Sequence, residues 1–204
     1  MITIINYGSG NIQAIGNIYK RLNIDFTIAE DAAGLEAGTK LILPGVGAFD
    51  KTMQQLIDSG LKAKLDELVL VKKVPVLGIC VGMQILAKKS EEGALPGLGW
   101  IDGVVKKIDV SKFTHKPHLP HMGWNSVKPL VEHPMLKGID LETGFYFLHS
   151  YYFTCTHPEN ILCTTDYGDV LATGVYSGNI YGMQFHPEKS HSNGIQLLKN
   201  FAEL

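Results

Sequence analysis

The chain has 204 residues, 45% of them hydrophobic, which is enough to bury a sizeable core within one domain spanning residues 1–204. Its 18 basic and 20 acidic residues leave a formal net charge of -2, which argues against the electrostatic footprint of a nucleic-acid binder. No apolar run approaches the roughly 20 residues of a membrane span, the N-terminus lacks the basic and long apolar regions of a signal peptide, and three cysteines without metal-like spacing fit a reduced, cytoplasmic setting.

Ile2–Ile5 is a short apolar run that predicts a strand. Ile12, Ile15, Ile18, Tyr19 and Leu22 then recur at helical spacing. Phe26 to Ala29 predicts a second strand, and Lys40 to Leu43 a third, which ends at Pro44-Gly45-Val46-Gly47. Phe49 to Leu70 predicts one or two amphipathic helices, interrupted near Ser59-Gly60. Val74 to Ile79 predicts the next strand, followed by a helix from about Val81 to Lys89. This alternation implies a mostly parallel central sheet with helices on both faces, a three-layer α/β fold.

The second half reads as a smaller, antiparallel strand region. Its predicted strands are Gly103 to Ile108, Phe145 to Leu148, Ile161 to Thr165, Leu171 to Tyr176 and Ile180 to Phe185, and a helix over Asn193 to Leu204 closes the chain. Glu91 to Gly99 and Ser111 to Pro120 read as insertions in this domain.

Two segments carry chemistry. Cys80 follows an apolar strand, opens a helix, and has glycines two residues before and after it, Gly78 and Gly82. A sharp strand-to-helix turn pushes its central residue out of the sheet, and flanking glycines remove side chains that would collide with that turn. A sulfur at the start of a helix also meets backbone N–H dipoles that favour thiolate. Cys155 and Cys163 have no such setting and read as buried structural cysteines.

His186-Pro187-Glu188 follows the last predicted strand. In an extended chain residues two apart point to one side, so the carboxylate can hold one imidazole nitrogen while the other faces the thiol. Nucleophile, base and orienting acid are then Cys80, His186 and Glu188. Pro44-Gly45-Val46-Gly47 ends a strand on the same sheet edge, where glycine leaves backbone N–H groups free for an oxyanion, with the Val81 amide as second donor.

Two other patterns are weaker. His115, His118 and His121 are spaced by three, but Pro117 and Pro120 interrupt any helix that would align them on a metal. Tyr7-Gly8-Ser9-Gly10-Asn11 looks like a phosphate-binding loop but lacks the third glycine of the dinucleotide fingerprint.

Over its full length the chain resembles the class I, triad-type glutamine amidotransferases. The segments that carry the likeness are Asn6 to Asn11, Leu43 to Gly47, Gly78 to Gln84, Leu119 to Asn125, Tyr146 to Tyr151 and Gln184 to Ser190. More closely it is similar to the family of glutaminase subunits of imidazole glycerol phosphate synthases, through the Pro-Gly-Val-Gly turn and Pro120-His121-Met122-Gly123-Trp124-Asn125. Asn6 stands where an aspartate is common in the family, and Val81 where leucine is usual.

The resemblance implies that Cys80 forms a γ-glutamyl thioester, with His186 as base and acid and Glu188 orienting it. Gln84, Ser150 and Tyr151 match substrate-holding positions, and Tyr146 lies beside them. Gly47 and Val81 match the oxyanion donors, after a backbone rearrangement of the glycine turn. The resemblance implies neither cofactor nor metal. It does imply a TIM-barrel cyclase partner in a heterodimer, because free ammonia would protonate in bulk water. Asn11, Met122, Trp124 and Lys189 match the interface-facing segments. A paralogue feeding ammonia to a sugar-amidinating partner, or a non-catalytic module that kept the fold, are the alternatives.

Overall fold

A computed structural model describes residues 1–113 and 119–204. His115, Pro117 and His118, at the centre of the Ser111 to Pro120 insertion, fall outside the described residues.

The first half alternates as the pattern predicts. Strand β1 (Ile2–Ile5) leads to helix α1 (Ile12–Arg21), which buries Ile15, Ile18 and Tyr19 and ends in Lys20 and Arg21, cations suited to a helix C-terminus. Strand β2 (Phe26–Ala29) is followed by a short helix, α2 (Ala32–Glu36), which the hydrophobic pattern does not announce. Its signal is a cap: the Asp31 carboxylate accepts from the Gly34 N–H at 2.7 Å. Strand β3 (Lys40–Gly45), helices α3 (Phe49–Asp58) and α4 (Lys62–Asp66), a wider π-type turn over Glu67–Val71 and strand β4 (Val76–Cys80) follow.

Helix α5 is only Val81–Gln84, shorter than the predicted Val81 to Lys89. Met83, Ile85, Leu86 and Ala87 are all fully buried, so the segment has no amphipathic face. The carbonyls of Ile85, Leu86 and Ala87 instead accept from Leu98, Ile101 and Gly99 of the returning insertion. The chain then forms β5 (Lys89–Ser90), parallel to β6 (Gly103–Lys107).

The second half holds more strands than the sequence pattern suggests. They are β7 (His121–Asn125), β8 (Lys128–Pro129), β9 (Phe145–His149), β10 (Tyr151–Cys155), β11 (Ile161–Asp166), β12 (Val170–Ser177) and β13 (Ile180–Met183). Helix α6 (His191–Glu203) closes the chain. Strands β7, β8 and β10 are unannounced: glycine and proline interrupt the first two, and β10 continues from β9 across Ser150.

The sheet order is β2-β1-β3-β4-β13-β12-β10-β6-β5, with β11 joined to β12 and β8, and β7 pairs β9 in a separate antiparallel ribbon. From β2 to β13 all neighbours run parallel; β13, β12, β10 and β6 then alternate. Helix α1 packs on α6, where Tyr19 Oη donates to the Leu198 carbonyl at 3.2 Å, while α2 packs on α4 and α3 on α5. Among the described residues no helix is long and apolar enough to cross a membrane.

This order sets up the site. Strands β1, β3, β4 and β13 are adjacent and parallel, so their carboxyl ends share one edge, the place where ligands bind in open α/β sheets. The loops leaving those ends carry Tyr7 to Asn11, Pro44 to Gly47, Cys80, and His186 to Glu188.

Candidate active site

Cys80 occupies the strained elbow that its glycines imply. Its backbone sits at φ 55°, ψ −113°, a conformation side chains rarely adopt. A Cβ on Gly78 would come within 2.6 Å of the Gly82 carbonyl oxygen, and one on Gly82 would overlap the Leu43 carbonyl of β3. The elbow is therefore pressed onto the neighbouring strand, an approach only glycine permits.

Across β4 on its other side, β13 delivers His186. His186 Nδ1 lies 2.8 Å from Glu188 Oε1, and both side chains are buried, 5% and 2% exposed. The two meet through a 3-10 turn over Pro187–Lys189, not through the extended chain expected. Pro187 suits the first position of that turn, which costs no hydrogen bond there. Ser190 Oγ donates back to the His186 carbonyl at 2.6 Å and closes the loop.

Cys80 and His186 line the same cavity, and Cys80 is close enough to act on the imidazole electrostatically. Burial opposes a charged imidazole, but the hydrogen bonds and charges of Cys80 and Glu188 outweigh it and push His186 up to about 10. Cys163 is buried as expected while Cys155 is only half-buried, and burial pushes both thiols up to about 12, as suits structural cysteines.

A cavity of about 590 Å³ opens at this edge, large enough for an amino-acid substrate. Of the residues singled out in the sequence, Cys80, His186, Glu188, Gly47, Val81, Gln84, Ser150, Tyr151, Asn11 and Lys189 line it. Tyr146 does not; its ring lies beneath Lys189, whose Nζ is 5.6 Å from the ring centroid. Met122 and Trp124 stand outside the cavity on β7, 62% and 43% exposed.

The glycine turn is tied back. The Val46 N–H donates to Ser9 Oγ at 3.0 Å, and Thr52 Oγ1 reaches the Val46 carbonyl at 3.4 Å. Gly47, at φ 93°, has open space around it. The glycine-rich loop after β1 thus serves as a latch for this turn and a cavity wall.

The sequence assigns no role to three lining or supporting residues, although His149 and Gln184 fall within segments that carry the family likeness. Glu92 lines the cavity and accepts the Phe49 N–H at 2.8 Å, capping α3 from the insertion. His149 lines it, and Gln184 lies behind Cys80 with its amide nitrogen 3.8 Å from the sulfur. A lone polar residue inside an apolar strand was the available sign for Gln184. Among the described residues no three His, Cys, Asp or Glu side chains group as metal ligands.

A family model described as glutamine amidotransferase class-I matches residues 3–204. The chain belongs to the class I glutamine amidotransferases. Within that family it is 52% identical to the imidazole glycerol phosphate synthase subunit HisH of Bdellovibrio bacteriovorus, over 100% of both chains. It is 48% identical to subunit HisH 2 of Pseudomonas aeruginosa, again over 100% of each. Among solved structures, one titled glutamine amidotransferase superposes with TM-score 0.70 at 20% identity, covering 100% of this chain and 98% of the other. A glutamine amidotransferase from Thermotoga maritima gives TM-score 0.63 at 18% identity, over 99% and 82%. These structures match the fold. The amidotransferase domain thus has an assembled Cys80, His186 and Glu188 at the shared strand edge.

Proposed function

We propose that this chain is the glutaminase subunit of an imidazole glycerol phosphate synthase and works in histidine biosynthesis as one domain over residues 1–204. The observation that carries this is the end-to-end similarity to subunits of that synthase, at 52% identity. The assembled Cys80–His186–Glu188 group supports an active enzyme over a non-catalytic module.

Cys80 attacks the side-chain amide carbon of glutamine. His186 gives its proton to the departing nitrogen, releasing ammonia and leaving a γ-glutamyl thioester. His186 then takes a proton from water, whose oxygen displaces the thiolate and yields glutamate. Glu188 fixes the imidazole tautomer and stabilises its cation. Val81 and the Gly47 end of the glycine turn supply oxyanion N–H groups. Gln84, Ser150 and Tyr151 hold the substrate, with Tyr146 beside them.

The ammonia passes to a separate TIM-barrel cyclase subunit, forming a heterodimer in the cytoplasm that makes imidazole glycerol phosphate and aminoimidazole carboxamide ribotide. Asn11, Met122, Trp124 and Lys189 face that partner.

The test is co-purification with the candidate cyclase and an assay for glutamine hydrolysis. Cys80→Ala is expected to abolish glutamine-dependent turnover while the complex still uses added ammonium salt. Retained glutamine-dependent turnover would overturn the nucleophile, and failure to bind a histidine-pathway cyclase would favour the paralogue.

A further inference from the structure

The buried polar groups behind Cys80 form one continuous chain of hydrogen bonds that the triad chemistry does not use. The Gln184 side-chain N–H points at Cys80 Sγ over 3.8 Å. Gln184 Oε1 accepts from Gln84 Nε2 at 3.0 Å, and the second Gln84 N–H goes to the Tyr151 carbonyl at 3.1 Å. His149 Nδ1 lies 2.8 Å from the same carbonyl. His149 Nε2 is 3.0 Å from His121 Nδ1, and His121 Nε2 is 3.3 Å from Asn125 Nδ2.

The proton positions along this path follow from its middle. A carbonyl oxygen only accepts, so His149 carries hydrogen on Nδ1 and presents a lone pair at Nε2. His121 must then donate from Nδ1, which leaves its Nε2 to accept from Asn125. Asn125 spends its other hydrogen on the Asp166 carbonyl at 3.0 Å. A proton added to either ring would set N–H against N–H. Burial acts in the same direction, pushing His149 down to about 3 and His121 to about 4. His121 is also clamped between Tyr167 and Phe147, with ring centroids at 3.9 and 4.6 Å.

The Tyr151 carbonyl also sets the two carboxamides. A carboxamide turned by half a rotation exchanges donor for acceptor, and a turned Gln184 would aim its oxygen at the sulfur. Because Tyr151 offers only lone pairs, Gln84 must present nitrogen to it, Gln184 must present oxygen to Gln84, and Gln184 nitrogen is left facing Cys80.

We propose that His121 and His149 are positioning residues for glutamine hydrolysis: as an uncharged, one-directional relay they hold the Tyr151 carbonyl, and through it the Gln84–Gln184 pair against the Cys80 thiol. The proposal deepens the glutaminase reading and rests on it.

The test uses the complex with its cyclase. His121→Phe keeps an aromatic ring between Tyr167 and Phe147 but removes both hydrogen bonds; His121→Asn restores an N–H near the Nδ1 position. Expected is a fall in glutamine kcat of about tenfold for His121→Phe, with KM within about twofold, and recovery of most of that loss in His121→Asn. Ammonium-driven synthesis stays level in both. No loss in His121→Phe, or equal loss in the two variants, overturns the relay. A wild-type complex that releases no ammonia from glutamine overturns the glutaminase reading itself. Long-range 1H–15N correlation on the wild-type chain is a second measurement that needs no variant. Both rings are expected as neutral Nδ1–H tautomers at neutral pH, and an Nε2–H form or an imidazolium at either position overturns the proposal.

Discussion

The Val46 amide and the Ser9 hydroxyl are hydrogen-bonded at 3.0 Å, which ties an N–H of the glycine turn to the loop after β1. Neighbouring residues reinforce that tie: Tyr7 Oη donates to the Pro44 carbonyl, and Ser9 Oγ lies 3.3 Å from the Val46 carbonyl. Gly47 follows Val46 in this turn, so its N–H can serve an oxyanion only after the Val46 tie is released, and the isolated chain is expected to hydrolyse glutamine slowly. Ser9→Ala removes both hydrogen bonds of the Ser9 hydroxyl to Val46 from the resting state and is expected to raise ammonia release by the isolated chain about fivefold. The activity of the cyclase complex should change little, because there the turn is already rearranged. An isolated Ser9→Ala chain as slow as wild type would mean that Thr52 and Tyr7 hold the turn without Ser9.

His186 owes its raised pKa, against burial, to Cys80 and Glu188 together. The imidazolium form persists below about 10 and is lost as pH rises through that value. The alkaline limb of kcat/KM for glutamine is therefore expected near pH 10 in the complex. Glu188→Gln keeps a hydrogen-bonding side chain but deletes the negative charge. The limb should then move to lower pH and kcat should fall on the order of a hundredfold or more, since tautomer and cation both lose support. A pH profile that stays in place would show that Glu188 orients the ring without stabilising its charge.

Gly82 faces the Leu43 carbonyl so closely that a methyl group cannot fit. The obstacle is backbone of an adjacent central strand, which cannot swing aside as a flexible side chain would. Gly82→Ala is expected to cost about 3 kcal/mol or more, read as a shifted denaturation midpoint. Gly47→Ala is the contrast. Nothing surrounds that Cβ position, so its effect should come from φ 93° alone and fall on the turn's mobility more than on global stability.

What was legible in the sequence is what short-range geometry demands. Gly78, Cys80 and Gly82 announce the elbow because a close backbone approach excludes side chains within five consecutive residues. His186 and Glu188 announce each other through a two-residue spacing, although a turn brings them together. The Ser9–Val46 latch spans 37 residues, and the Gln84–Gln184 contact spans 100. Neither has a local signature. His149 looks like one more residue of an aromatic strand, and β7 is hidden by Pro120 and Gly123. The pairing of β7 with β9 brings His121 and His149 opposite each other, a register no single segment encodes.

Trp124 projects from β7 with its indole parallel to the His191 imidazole, centroids 5.4 Å apart, and remains 43% exposed beside Met122 at 62%. A large aromatic side chain that is stacked yet uncovered loses little conformational freedom on binding, which suits an anchor in a protein interface. Trp124→Ala is expected to weaken binding of the cyclase subunit about thirtyfold, measured by titration calorimetry. The melting temperature of the isolated chain should barely move, because the indole contributes surface and not core. Glutamine turnover at saturating cyclase should remain within about threefold of wild type if Trp124 acts in association alone. Unchanged affinity would place the partner on another face, and lost turnover at saturation would mean that the indole also transmits the partner's state to the glycine turn.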